Sequence, residues 1–154
     1  MIGTRLRHIG VAAVTLLDVS ISRRRRALFR EMRAWERSLP ARLRAPLPSA
    51  LQRLTPPAAA APAPERTVRR MADTTALLDR RSPLGLCLRR SLTRYFFLRR
   101  QGVPVVLHFG AQFVGGRPDR DIAGHAWLTL DRHAYHEADK NWRGFTVMLS
   151  FPEE

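Results

Sequence analysis

Residues 86–113 read LCLRRSLTRYFFLRRQGVPVVLHFGAQF, and the chain changes texture inside this stretch. From 86 to 101 the apolar residues Leu88, Leu92, Tyr95 and Phe96 recur at three- and four-residue steps, the period of a helix with one buried face. Gly102 supplies a C-terminal stop, and Pro104 keeps the helix from resuming. Beyond it, 105–113 is rich in β-branched and aromatic residues and predicts a strand. One junction therefore separates a helical front from a stranded back.

Upstream of the junction, 66–78 predicts a helix with Val68, Met71, Ala72 and Leu78 in the core, and Asp79-Arg80-Arg81-Ser82-Pro83 a turn. The first 54 residues also read as helix. Ile9, Ala12, Ala13, Leu16 and Leu17, then Leu28, Met32 and Trp35, keep the helical period until Pro40, Pro46 and Pro48 break it. TPPAAAAPAP at 55–64 cannot build a core and predicts an extended linker. The expected organisation is a basic helical arm at 1–54, a Pro/Ala linker at 55–64 and a compact domain at 65–154. Downstream, 115–119 is a turn, 125–130 a strand ended by Asp131-Arg132, Tyr135 and His136 a short third strand, and 145–151 the last. Helices followed by a small antiparallel sheet make an α+β architecture.

The chain has 154 residues and a formal charge of +14, with Lys140 as its one lysine. Residues 1–64 hold 12 arginines against 3 acids, so the front carries most of the excess. Such charge favours an acidic peptide, an acidic protein surface, anionic lipid or nucleic acid without choosing among them. No zinc-ligand set, RNA-reading aromatic motif or helix-turn-helix is visible, which argues against nucleic acid. The run from Arg23 to Arg26 reads as a solvated, partner-facing helix face. A single cysteine excludes an intramolecular disulfide and gives no reason to look beyond the cytoplasm. The apolar run 9–21 contains Asp18, falls short of the ~20 residues of a membrane span, and ends in four arginines. The expectation is no transmembrane segment, a poor signal peptide, and a helix packed on its own domain.

Cys87 stands at or near the start of the 86–101 helix, where the partial positive charge of the terminus favours a thiolate. Free backbone N–H groups there can also hold an oxyanion. If Ser82 caps the helix and Pro83 begins it, Cys87 falls in the second turn and both effects shrink. The plain alternative is a small buried hydrophobe. Gly124-His125-Ala126-Trp127 opens a strand, a stiff place for a base with small neighbours that leave room for a substrate backbone. His8 lies in the basic segment and His108 in mid-strand. His133 and His136 have metal-like spacing, but no cysteine or carboxylate set accompanies them, so neither a metal nor another cofactor is expected. A thiolate–imidazole pair wants an orienting group behind the ring. Glu137 is the first choice and Asp139 the second, since both follow the strand next to that of His125.

CLRRSL at 87–92 and LRRQGVP at 98–104, then GHAW at 124–127, Glu137 a dozen residues on and FTV at 145–147, together resemble the transglutaminase-like leader peptidases of lasso-peptide biosynthesis. The resemblance runs from about 66 to 152, somewhat over half the chain. Each motif is short, but their order and spacing are specific. Leu86 stands where a small hydroxyl residue often precedes the family's cysteine, and the third catalytic residue is an aspartate in some relatives. The resemblance implies a papain/transglutaminase-like fold and a cysteine protease with Cys87 as nucleophile, His125 as general base and acid, and Glu137 as orienting residue. Its implied substrate is a ribosomally made precursor peptide that loses its leader. No winged-helix-like leader-binding segment is visible in 1–64, so a separate leader-recognition protein is implied, with an ATP-dependent lasso cyclase acting afterwards. Two further readings stay open: another thiol acyltransferase, such as a transamidating enzyme on the same triad, and an inactive relative that only binds peptide.

Overall fold

The computed structural model describes residues 15, 20, 22–54, 56, 57, 63–118 and 121–152. Most of the helix expected over 9–21, and most of the 55–64 tract, lie outside these residues.

Helix α1 (Arg23–Arg42) opens at Ser22, whose hydroxyl accepts a hydrogen bond from the Arg25 N–H at 3.4 Å. It runs through Pro40 instead of stopping there. Pro40 lies in the last turn, so it forfeits one backbone bond, and its neighbour Leu39 is fully buried. The next prolines begin a helix rather than break one. Pro46 caps α2 (Leu47–Arg53) and Pro48 sits in its first turn, where a missing N–H costs little. Then come α3 (Glu65–Leu78) and α4 (Leu86–Arg100), both close to their expected bounds.

The sheet follows: β1 (Val106–Phe113), a 3-10 turn (Val114–Gly116), β2 (Ile122–Leu130), β3 (His133–Ala134), the one-turn helix α5 (Asp139–Trp142) and β4 (Thr146–Phe151). Its order is β3-β2-β1-β4, antiparallel throughout. β2 starts at Ile122 because Ile122, Ala123 and Gly124 pair with Phe113, Gln112 and Ala111. His125 thus lies within the strand and does not open it. β3 also comes earlier than the expected pair Tyr135 and His136, although the Tyr135 N–H still donates to the Leu128 carbonyl at 2.8 Å.

The two sheet faces differ. Leu107 and Leu128, with Phe151 behind them, face the helices, and Tyr95 of α4 meets Phe151 at 5.7 Å between ring centroids. Strand alternation puts His108, Gly110, His125 and Trp127 on the other face. Phe29, Met32 and Trp35 of α1 and Leu51 of α2 share one core with Val68, Leu92, Leu98 and Leu107. Trp35 meets Phe96 and Phe97 of α4 at 4.7 and 5.8 Å. The segment that reads as an arm therefore packs into the same core as the sheet, each such side chain adding roughly 1.5–3 kcal/mol. Across the Pro/Ala tract, the Ala63 N–H donates to Gln101 Oε1 at 2.7 Å, anchoring its end to the C-cap of α4. Leu78, expected in the core, is instead exposed as the last residue of α3. Among the described residues no helix is long and apolar enough to cross a membrane.

Candidate active site

The cap of α4 decides where Cys87 stands. Gly85 is the N-cap and no side chain caps the helix, so Cys87 lies in its first turn. Ser82 accepts instead from the Leu84 N–H at 3.3 Å, inside the turn that leads into the helix. The first backbone bond is Arg89 N–H to the Gly85 carbonyl at 3.1 Å. First-turn N–H groups therefore remain for an anionic oxygen. The thiol is partly exposed, and a Cβ on Gly85 would lie 3.9 Å from its Sγ.

Arg89 anchors this end of the helix. Its Nε donates to the Leu84 carbonyl at 3.1 Å and its Nη1 to the Ala76 carbonyl at 2.7 Å. Nη1 also meets Glu36 Oε1 of α1 at 3.1 Å. Burial pushes the Glu36 carboxyl above its ordinary pKa, against the pull of Arg89.

Carbonyls two apart on a strand point the same way, so the Ala126 carbonyl points, like that of Leu128, toward the β3 side of β2. Pairing with β3 is confined to Thr129 and Leu130, which leaves that edge free near Ala126. Ser91, one turn after Cys87, donates to the Ala126 carbonyl at 2.8 Å. The first turns of α4 thus come alongside the free edge of β2 at Ala126, the residue that follows His125. Arg90 reaches the same edge and pairs with Glu137.

The ring of His125 stacks on Trp127 at 5.9 Å and meets Phe145 at 5.3 Å. Trp127 in turn stacks on His108 at 5.5 Å and Trp142 at 6.3 Å. His125 Nε2 is buried with no hydrogen-bond partner. Burial holds its pKa below the ordinary 6.5; the Glu137 carboxylate pulls it up, and Arg90 pushes it down again. Near neutral pH the ring is therefore uncharged, with one buried nitrogen unengaged. Among the described residues no hydrogen bond joins His125 to Cys87 or to Glu137.

The two acids weighed from the sequence differ in setting. The Glu137 side chain is 2% exposed, with Oε2 paired to Arg90 and Oε1 accepting from Asn141 Nδ2 at 2.5 Å. Asp139, at 60%, pairs with Arg143 at 2.8 Å. His108 is tied at both ring nitrogens, to Ser150 Oγ and Thr129 Oγ1, each at 2.8 Å. His133 Nδ1 meets the Asp131 carbonyl at 2.7 Å. No group of described residues has the makings of a metal site. Sequence reasoning passed over Arg90 and Asn141, although Arg90 sits three residues after Cys87 and so shares its side of the helix.

No curated protein and no solved structure matches the chain significantly. A family profile described as the Transglutaminase-like superfamily does match, over residues 13–150. The matched span takes in the helices, the uncapped start of α4 and nearly the whole sheet, and the helices-then-sheet order is that fold. The chain belongs to the transglutaminase-like superfamily.

Proposed function

We propose that the protein is a cysteine peptidase acting through Cys87, His125 and Glu137, and that it removes the leader from a ribosomally made precursor peptide during lasso-peptide maturation. The superfamily is generally one of cysteine proteases and acyltransferases. The observation that carries the catalytic reading is the buried, unpartnered Nε2 of a neutral His125 at the strand edge where the Cys87 end of α4 arrives. Leader removal rests on the motif resemblance. It brings with it a separate leader-recognition protein and an ATP-dependent cyclase as partners.

In this mechanism His125 takes the Cys87 proton, and the thiolate attacks the scissile carbonyl carbon. First-turn N–H groups of α4 hold the resulting oxyanion, each such donor being worth roughly 10²–10³ in rate. The imidazolium gives its proton to the departing amine as the C–N bond breaks, leaving a thioester on Cys87. His125 then activates water, which releases the acid and restores the thiol. Glu137 steadies the transient imidazolium by its charge. Hydrogen bonds of this kind are often absent without substrate and form in the complex, so the unlinked Cys87 and His125 fit the resting state.

The test is mass spectrometry of precursor peptide incubated with the protein and its leader-recognition partner, native against Cys87→Ala. The expected result is one cut with water added, abolished in the variant. A cut that survives Cys87→Ala would sink the assignment. An amine adduct in place of the acid would make the protein a transamidating enzyme.

A further inference from the structure

Arg90 stands outside the proposed catalytic trio yet pairs with one of its members, Glu137. It lies three residues after Cys87 on α4, and its Nη2 pairs with Glu137 Oε2. Asn141, from α5, donates to the other carboxylate oxygen at 2.5 Å. Both oxygens of Glu137 are thus engaged in a side chain that is almost wholly buried, and neither goes to His125. Two exposed side chains paired like this would contribute little. Here one partner is buried, so removing the cation would leave a buried carboxylate without its counter-charge. The pair also joins two separate elements, the helix that carries Cys87 and the segment after β3.

We infer that Arg90 is a positioning residue: together with Asn141 it clamps Glu137 beside His125, so that the carboxylate acts on the ring by its charge without taking its hydrogen bond, and it ties the Cys87 end of α4 to the segment after β3. The catalytic consequence rests on the peptidase reading; the clamp itself does not. The charged groups acting on His125 are Glu137 and Arg90. The aromatic side chains around it are Trp127 and Phe145, with Trp142 and His108 behind Trp127, and of these only His108 is ionisable. Burial is the main cause that keeps the proton off His125, Glu137 opposes it, and Arg90 acts in the same direction as burial. Without Arg90, Glu137 also gains a free oxygen to accept from the ring, and both changes move His125 toward its protonated form.

The experiment compares full-length native protein with Arg90→Met, Arg90→Lys and Asn141→Ala. Histidine ring signals are followed by NMR against pH, with His125 identified by its loss in His125→Gln. The expected result is a His125 titration moved to higher pH in Arg90→Met, and in the same direction in Asn141→Ala. Arg90→Lys, which keeps the charge, should stay nearest the native curve. On peptide substrate, kcat/KM of Arg90→Met should fall by roughly 10- to 100-fold, with its acid limb moved upward in pH. Should Arg90→Met fail to fold, Asn141→Ala, altered at an exposed residue, decides. A His125 titration unchanged in the folded variants overturns the inference. Failure of the native protein to cleave any peptide would instead count against the peptidase reading, because the NMR arm needs no turnover.

Discussion

Gly110 faces His125 across the β1–β2 pair, and the Trp127 indole lies where a side chain on Gly110 would go. A Cβ there would stand 2.8 Å from two atoms of that ring and 3.0 Å from Phe145 Cβ. Neither neighbour is a loose chain end, so Gly110→Ala should destabilise the fold by about 1–3 kcal/mol. It should lower turnover as well, since the displaced indole is stacked on His125. Denaturant unfolding and a peptide assay on the same sample check both, and unchanged stability would mean that the indole swings clear. A glycine inside a strand signals such a close approach, but nothing local says that the approaching group is Trp127. At the same scale, Glu137→Gln removes the carboxylate that raises the pKa of His125. The acid limb of kcat/KM should then move to lower pH, opposite in sign to the Arg90→Met shift. A limb that moves upward would show that Glu137 does not act on this ring.

Among the elements, α4 carries the consequence of having no cap. An aspartate at position 85 would accept from the N–H of Cys87 or Leu88. Gly85→Asp should therefore add a few tenths of a kcal/mol to stability. It should also slow alkylation of Cys87 by iodoacetamide, since it takes up the donors and sets a negative charge beside the sulfur. Faster alkylation would argue that those donors play no part. The body and end of this helix were legible from its period and from Gly102. The period also places its start near Leu86, but the cap stays open, because Ser82-Pro83 and Gly85 are both acceptable openings as local sequence. What decides is Arg89, whose bonds to the Leu84 and Ala76 carbonyls hold the chain ahead of Leu86 in a turn. The prolines were misleading for a related reason. Pro40 and Pro48 lie in a last and a first turn, where proline does least harm, and turn positions depend on where each helix packs.

At the scale of the whole molecule, two histidines, His125 and His136, resist protonation. His125 is lowered mainly by burial, and His136 by burial and then by Arg69 and Arg94. In the unfolded chain both take a proton near the ordinary value of about 6.5; in the folded chain they take it only at lower pH. Their contribution to stability is therefore present above about pH 6.5 and is lost as the pH falls through the folded values. The denaturant midpoint should drop between about pH 7.5 and pH 5, and His136→Gln, at a residue exposed to solvent, should flatten that dependence only slightly. An equal slope in the variant would take His136 out of the account.

The sequence by itself determined what is local: the helix-to-strand junction, the α+β order and the position of Cys87 near a helix start, together with a short list of candidates for thiol chemistry. Period, stops and side-chain type settle these within one or two turns of chain. Only the tertiary structure decided what depends on distant surfaces meeting. Residues 23–54 share the core because the apolar face of α1 fits α4, which no composition shift at 55–64 reveals. His125 lies within its strand because β1 extends the pairing to Ile122. Of two acids two residues apart, the fold buries Glu137 and leaves Asp139 exposed to pair with Arg143. Arg90 and Glu137, 47 positions apart in the chain, meet because α4 runs beside the free edge of β2. Contacts of that separation come from the packing of whole elements, and a reading by local pattern cannot contain them.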